Sequence, residues 1–454
     1  MPRISSLRPL FARAFLLYGA SGVNFILGFL FIPIAMRRLG ADGYGLLSVY
    51  LFGIGSFLYL DQAFSKVFVK IYKEQGPDNA TAARSVFGGL IVVAVFCVII
   101  ALVVVLGWIV FQYAALGNVS GRDGAFSFLI MAFVVDYVLG LPITYFTTRS
   151  IANNQTEAYG KFLWLQNGLR FFALFVAVLL TSNPVLIAAG VTIRRALDYL
   201  IVYSMFYRQS DFRNLRSPSF DLAIAKLKEN SAIFVAHFTH ILAFESVSML
   251  SAFAFGVRGF GLYRAGFDAI NRIWFVTSVF PLLIFPSAVG NATAFKSGPM
   301  RERMIYGLHA SWLIYALISL GFTLFGARFV VRMIPELASH TSLLAFMFLG
   351  ICCNGHARLA LEFLQGFNLS KLCTRINLIT LALVIAMTLG LKDSFGIVSL
   401  GFAWAFCFSL HAMYLDWVLL HEIGTTLSRR FFSLLFGIVL IMLNAVVVFY
   451  TLGT

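Results

Sequence analysis

Long apolar runs recur along the whole chain, and they constrain its fold more than any other feature. The run 86–108, for example, contains no charged residue. About 20 helical residues cross the hydrocarbon core of a bilayer, whereas the strands of a membrane β-barrel alternate over about 10 residues. Unbroken runs of this length therefore predict transmembrane α-helices. Charged residues make up only 12% of the 454 residues, which argues against a soluble enzyme, since soluble domains have roughly 25%.

The apolar runs predict thirteen membrane spans. They lie at 15–35, 46–66, 86–110, 125–147, 161–181, 185–206, 231–255, 261–288, 304–327, 341–365, 372–391, 395–420 and 432–452.

The basic residues predict the orientation of these spans. With the N-terminus inside, the inner segments contain 20 Lys and Arg residues and the outer segments contain 7. Because cytoplasmic loops of membrane proteins are enriched in Lys and Arg, this bias predicts a multi-pass protein with a cytoplasmic N-terminus. The net charge of +15 is explained in the same way, without nucleic-acid binding.

Other short motifs favour neither a cofactor nor an enzyme. None of the five cysteines has the spacing of metal ligands, and we interpret them as small core residues. No Gly-x-x-x-x-Gly-Lys-Ser/Thr loop, nucleophile elbow or zincin motif is present in the sequence, so we expect no ATPase and no cofactor.

A trace of an internal repeat divides the chain. The motif Gly-x-x-Gly-aromatic-Gly-Leu begins at Gly40, after the first span, and again at Gly256, after the seventh. Its equal position in two sets of spans indicates duplication, and its glycines permit tight or left-handed turns. We predict an N-terminal lobe at 1–206, a cytoplasmic linker at 207–230 with an amphipathic helix near 222–227, a C-terminal lobe at 231–420, and an extra span at 421–454.

The N-terminal third resembles a known family. The matching features are Gly19, Gly22 and Asn24 in the first helix, Pro33 near its end, the run Arg38-Leu39-Gly40, the run Gly43-Tyr44-Gly45, and Leu60-Asp61 in the second span. Segment 256–263 resembles the start of the eighth helix in the same family. These features resemble the polysaccharide flippase (Wzx-type O-antigen transporter) branch of the multidrug/oligosaccharidyl-lipid/polysaccharide exporter superfamily.

The resemblance implies an all-α membrane protein with about 12–14 transmembrane helices, in two pseudo-symmetric six-helix lobes around a central cavity. It implies a flippase that moves an undecaprenyl-diphosphate-linked oligosaccharide from the inner to the outer leaflet of a bacterial inner membrane, for surface polysaccharide synthesis. The implied partners are this lipid-linked substrate, membrane lipids, a polysaccharide polymerase and chain-length proteins.

Arginines within the spans are the candidates for substrate binding. A diphosphate needs cations when it leaves the headgroup region, and a guanidinium matches phosphate oxygens with two hydrogen bonds. We select Arg170, Arg194, Arg195 and Arg272. Arg170 and Arg195 have no obvious acidic partner on their own helix faces, whereas Arg194 can pair with Asp198 four residues later. The alternative is that these arginines pair across helices, for example Arg170 with Asp136.

Acidic and histidine residues of the second lobe are the candidates for ion coupling. His237, His240 and Glu245 share a broad face of the seventh span, and Glu362 lies on the tenth. Together they predict a site for a proton or sodium ion. The alternative is that the histidines only form hydrogen bonds between helices.

Three main readings of the function stay open from the sequence alone, beside the lipid II flippase branch of the same superfamily, which would usually have fourteen helices and a longer chain. The first is the lipid-linked oligosaccharide flippase. The second is a cation-coupled multidrug exporter of the same superfamily, although its first span would need an acidic residue that is absent from 15–35. The third is a membrane-embedded glycosyltransferase or polymerase, although the predicted outer loops are too short to hold the expected catalytic acids.

Overall fold

In a computed structural model, the structure describes residues 8–75, 80–116, 122–152, 156–206, 218–271, 294–296 and 298–452. Within these ranges the fold is all-helical. The α-helices are α1 Arg8–Gln75, α2 Ala80–Leu116, α3 Arg122–Ala152, α4 Thr156–Leu180, α5 Pro184–Ile193, α6 Arg195–Phe206, α7 Phe220–Glu229, α8 Ser231–Asn271, α9 Gly298–Gly321, α10 Ala327–Met333, α11 Thr341–Gly366, α12 Ser370–Phe395, α13 Val398–Glu422 and α14 Leu427–Leu452.

The predicted all-α membrane fold is confirmed. In the described ranges eight helical stretches are long and apolar enough to cross a membrane, and a bent pair within 127–150 makes nine. Most predicted spans fall within these helices. The span predicted at 261–288 continues beyond α8 into residues outside the described ranges. The span predicted at 185–206 is two helices, α5 and α6, separated by one turn residue at Arg194.

The chain divides into two compact units, residues 1–234 and 235–454; the exact lobe boundaries given above stay predictions. In the first unit α1 packs against α3 and α4, and the contact includes the buried Phe31 and its edge-on neighbour Phe175, with ring centroids 5.8 Å apart.

The amphipathic helix that we predicted near 222–227 is confirmed as α7. Its start lies against α2, where the Ser219 backbone N–H donates to the Arg84 carbonyl oxygen over 3.1 Å. A Cβ atom added to Gly88 would lie 2.8 Å from the Ser219 carbonyl oxygen. Glycine at this position therefore permits the two backbones to approach each other.

Helix α11 forms the centre of the second unit, where nearly all of its residues are buried. It packs most extensively on α13. Two glycines bring the helices together, because a Cβ on Gly350 would lie 3.2 Å from the Ala405 backbone nitrogen and one on Gly401 would lie 2.9 Å from the Leu343 carbonyl oxygen. Small residues that let helix backbones approach are typical of membrane helix packing.

The repeated glycine motif has the same local geometry in both units. Helix α1 bends at Gly40, with φ 67° and ψ 176°, and α8 bends at Gly256, with φ 66° and ψ −173°. At the fourth position of each motif, a Cβ on Gly43 or Gly259 would collide with the Cβ of the residue four positions earlier. The predicted left-handed turns are thus present, and this shared geometry supports the duplication.

Candidate functional site

Two arginines lie at the break between α5 and α6. The break gives α5 a C-terminal cap at Arg194, whose backbone N–H still donates to the Gly190 carbonyl over 3.2 Å, and α6 begins at Arg195. Both side chains are buried, with residue exposures of 6% and 8%. Because an isolated charge in an apolar interior is very costly, such residues need partners close by.

Two aspartates supply these partners. Arg195 lies 2.6 Å from Asp136 Oδ2 on α3 and 3.0 Å from Asp198 Oδ2 on α6, and its Nε donates to the Asp136 carbonyl over 3.2 Å. Arg194 lies 3.2 Å from the same Asp198 oxygen. The predicted Arg194–Asp198 pair is therefore confirmed.

Our interpretation of Arg195 needs correction. It has an acidic partner on its own helix, because residues three apart also face each other. The aspartate that we offered as an alternative partner of Arg170, Asp136, binds Arg195 in the structure. These are ion pairs across α3 and α6 within the first unit.

Arg170, on α4, lies in the same electrostatic environment. The Tyr50 hydroxyl of α1 lies 3.1 Å from the Thr192 hydroxyl of α5, and the charges of Asp136, Arg170 and Arg194 all act on it. We name Arg170, Arg194, Arg195, Asp136 and Asp198 the basic cluster.

Sequence reasoning missed the polar residues around the basic cluster. Tyr50 and Thr192 are uncharged and lie in ordinary apolar spans, so charge counting gave them no weight. A tyrosine inside a predicted span was the available signal, since a buried hydroxyl needs a hydrogen-bond partner. The fourth predicted substrate residue, Arg272, lies outside the described residues.

A second ionic cluster lies in the other unit, around the bend of α8. Arg264 contacts Glu245 over 3.3 Å and Asp268 over 3.0 Å, and the Ser248 hydroxyl donates to Glu245 over 3.1 Å. In a straight helix residues 245 and 264 would lie roughly 28 Å apart, so this contact requires the bend at Gly256. We name Glu245, Arg264 and Asp268 the acidic cluster, because two carboxylates face one guanidinium.

The remaining predicted coupling residues are also buried in the second unit. His237 and His240 lie one turn apart on α8, and the His240 ring lies 5.8 Å from the His411 ring of α13. Glu362 is fully buried on α11, one turn after the buried Arg358. Among the described residues, no group of three or more His, Cys, Asp or Glu side chains is arranged to hold a metal ion.

Solved structures provide comparisons for the whole chain. A mutant of the Vibrio cholerae MATE transporter VcmN is 13% identical over 92% of this chain and 99% of that one, with a TM-score of 0.59. The eukaryotic MATE transporter AtDTX14 is 11% identical over 95% and 98%, with a TM-score of 0.65. The lipid II flippase MurJ, in an inward closed conformation, is 13% identical over 97% and 100%, with a TM-score of 0.61.

No protein-family model matches the sequence, and no curated protein does. At identities of 11–13% the structural likenesses show the fold alone. The chain has the fold of MATE transporters and MurJ, as the sequence resemblance implied, and is a multi-pass membrane protein.

Proposed function

We propose that this protein is a flippase that moves an undecaprenyl-diphosphate-linked oligosaccharide from the inner to the outer leaflet of a bacterial inner membrane. In this proposal the lobes open the substrate site alternately to the two sides of the membrane. The observation that supports it best is the basic cluster, in which Arg194 and Arg195 are buried beside Asp136 and Asp198 in the first unit.

The ion pairs of the basic cluster explain how its arginines are stable in the membrane before an anionic substrate binds. Asp136 and Asp198 neutralise the arginines while no substrate is bound. A diphosphate presents oxygens of the same charge and geometry, and guanidinium binds phosphate with two parallel hydrogen bonds. Substrate phosphates would therefore take the place of the carboxylates, and the exchange costs less than exposing a bare guanidinium to lipid.

Some polar atoms of the basic cluster are available to form hydrogen bonds with such a ligand. Arg194 Nε, Asp136 Oδ1 and Asp198 Oδ1 are buried and have no hydrogen-bond partner in the described structure. A buried polar atom without a partner costs about 1–3 kcal/mol. A ligand that supplies phosphate oxygens and sugar hydroxyls to these atoms recovers that cost.

The acidic cluster is the proposed coupling site, together with His237, His240 and Glu362. Arg264 contacts both of its carboxylates, Glu245 and Asp268. Carboxylates in a buried position favour uptake of a proton or sodium ion. A cation gradient would then drive the conformational change that carries the substrate.

A cation-coupled multidrug exporter is the second candidate, and the likeness to MATE transporters favours it. The buried arginines of the basic cluster favour an anion instead, since a guanidinium binds phosphate oxygens with two parallel hydrogen bonds. The likeness of the fold to transporters does not favour the membrane-embedded glycosyltransferase or polymerase.

Transport in reconstituted vesicles tests the proposal. Undecaprenyl-diphosphate-linked oligosaccharide is placed in one leaflet, and its appearance in the other is measured with a lectin or a sugar-specific enzyme. The variants are Arg195→Gln, the pair Arg195→Gln with Asp136→Asn, and Arg258→Gln. Arg258 is an exposed arginine of α8 and provides the matched control.

The pair variant separates a structural role from a substrate role. If Arg195 only holds helices together, the neutral pair keeps the helices joined and flips at the wild-type rate. If Arg195 binds phosphate, both Arg195 variants lose binding by about 10- to 100-fold, which corresponds to the 1.5–3 kcal/mol of a charged hydrogen bond. Absence of flipping by wild-type protein, with export of a cationic dye instead, would overturn the proposal.

A further inference from the structure

Three helices of the second unit bring a serine, a tryptophan, a histidine and an aspartate into one buried chain of hydrogen bonds. His356 of α11 is fully buried, and its Nε2 lies 2.8 Å from Asp416 Oδ2 of α13. The same carboxylate oxygen accepts the Trp312 Nε1–H of α9 over 2.7 Å. On the other side of the ring, His356 Nδ1 bonds to the Ser311 hydroxyl.

The Ser311 hydroxyl has a second hydrogen-bond partner, so the direction in which it donates its one proton is linked to the protonation of the His356 ring. Its oxygen lies 2.9 Å from the Leu308 carbonyl, to which it can donate. A hydroxyl has only one proton. If Ser311 donates to Leu308, then His356 Nδ1 donates to Ser311, and with an Nε2–H that Asp416 accepts the ring has protons on both nitrogens. If Ser311 donates to Nδ1 instead, then the ring is neutral and has its proton on Nε2.

Both arrangements satisfy the two ring nitrogens of His356. In each of them Nε2–H donates to Asp416, and the Leu308 carbonyl keeps its place in the intrahelical bonding pattern. The two arrangements differ by one proton and by a rotation of the Ser311 hydroxyl. The site therefore accommodates gain or loss of a proton without movement of a helix.

We propose that His356 and Asp416 form a site that binds and releases one proton, with Ser311 rotating to accept either state. This site is separate from the acidic cluster around Glu245. The site of exchange is the Nδ1 nitrogen of His356, and water or a hydronium ion is the acceptor or donor. No other bond is made or broken.

Burial determines which state the site prefers. With the extra proton, His356 and Asp416 form a neutral ion pair; without it, Asp416 is a lone buried carboxylate. Its Oδ1 already lacks a hydrogen-bond partner in the described structure, which makes the lone anion more costly. Loss of the proton therefore leaves an uncompensated buried carboxylate, and its return at Nδ1 restores the ion pair.

The surroundings of the pair contain few other charges among the described residues. From α9, His309 acts electrostatically on both groups. Arg358 lies two positions after His356 on α11, and residues two apart on a helix do not face each other. On α13, His411 bonds to Thr380 of α12. The remaining side chains around Trp312 are Tyr315, Cys352, Cys353 and, from α14, Leu440, Ile441 and Asn444.

Trp312 makes the site visible to spectroscopy. Its ring lies 4.1 Å from the His356 ring, with an interplanar angle of 31°. A protonated imidazole at this distance gains a cation–π interaction and quenches indole emission. Protonation of the site should therefore lower the fluorescence of this one tryptophan.

Nitrogen NMR of histidine-labelled protein in nanodiscs tests the proposal without any substrate. The chain has only seven histidines, and His356→Gln identifies the signal of interest. We expect the nitrogen shifts to report one protonation step at His356 Nδ1 when the pH is varied over a wide range on both sides of the ordinary histidine value of about 6.5. Nitrogen shifts of His356 that stay constant over this range would overturn the proposal. The titration is observed in wild-type protein, so it does not depend on the folding of a variant.

The variant Asp416→Asn then tests the partner, because it keeps the shape of the side chain and removes its charge. We expect the His356 transition to move to lower pH by about one unit or more, since the carboxylate stabilises the imidazolium. The matched control, His309→Asn, should move it less. An unchanged midpoint in Asp416→Asn would contradict the assignment of the pair.

A role of this proton in coupling rests on the proposed transport function. In vesicles with a pH gradient, His356→Gln should flip lipid-linked oligosaccharide without responding to the gradient. A response equal to that of wild-type protein would refute the coupling role. If wild-type protein flips nothing, the proposed function fails, while the NMR titration decides the proton site separately.

Discussion

Replacing Gly40 or Gly256 by alanine isolates the cost of a single backbone conformation. Both glycines have φ near +66° and ψ near 180°, a region that residues with a Cβ atom almost never adopt. Holding alanine there costs about 1–3 kcal/mol. A Cβ atom at either position meets nothing within 4 Å. The cost therefore comes from the backbone conformation and not from a collision, and it should be equal for the two variants.

A third glycine provides the matched control. Gly390 lies in regular helix α12, and a Cβ atom there also meets nothing within 4 Å. Alanine at this position should raise the free energy of unfolding by about 0.5–1 kcal/mol, because glycine in a helix interior is destabilising by that amount. The three substitutions add the same methyl group, so their difference in sign reports the backbone conformation alone.

Denaturant unfolding of the purified protein in micelles, followed by circular dichroism, measures these effects. We expect Gly40→Ala and Gly256→Ala to lose stability and Gly390→Ala to gain it. Wild-type stability in both bend variants would refute the conformations described for them. A loss in only one of them would contradict the equivalence of the two motifs.

Other predictions concern buried contacts. Asp136→Asn alone should destabilise the first unit by about 3–5 kcal/mol, because it leaves a buried arginine poorly compensated. In a double-mutant cycle, the variant that combines it with Arg195→Gln should recover most of this loss. Additive losses in stability would contradict the Arg195–Asp136 ion pair. Gly401→Ala should lower the free energy of unfolding by about 1–3 kcal/mol, since its Cβ would lie 2.9 Å from the Leu343 carbonyl oxygen. An unchanged free energy of unfolding would contradict the close packing of α11 against α13. Glu245→Gln should abolish the dependence of vesicle transport on an imposed cation gradient, and a retained dependence would exclude that role.

Much of the fold was accessible from the sequence, because the membrane imposes strong rules on the chain. Long apolar runs must form helices in a bilayer, and predicted spans such as 341–365 and 372–391 match α11 and α12 closely. The left-handed bends at Gly40 and Gly256 were also predictable, since the motif spacing repeats and glycine tolerates that conformation. Local rules of this kind act within one segment and need no knowledge of tertiary contacts.

The partners of the buried charges were harder to predict. The Arg194–Asp198 pair follows from spacing on one helix, whereas the contact of Arg195 with Asp136 joins residues 59 positions apart. Likewise, the pairing of His356 with Asp416 spans 60 positions and two helices. Such contacts depend on how the helices rotate and cross. The pattern of apolar residues does not determine this, because the chain is largely hydrophobic. Spacing on one helix therefore predicted the Arg194–Asp198 pair but not the cross-helix partner of Arg195.

The central claim is that substrate phosphates replace carboxylates at the arginines of the basic cluster. Solid-state NMR with nitrogen-labelled arginine, in the complex with undecaprenyl-diphosphate-linked oligosaccharide, measures this directly through phosphorus–nitrogen distances. We expect a phosphorus atom within about 4 Å of a guanidinium nitrogen, as phosphate hydrogen bonds require. This contact should be lost in the variant that combines Arg195→Gln with Asp136→Asn. A saturated complex in which Arg194 and Arg195 keep both aspartates and no phosphorus lies near them would contradict it.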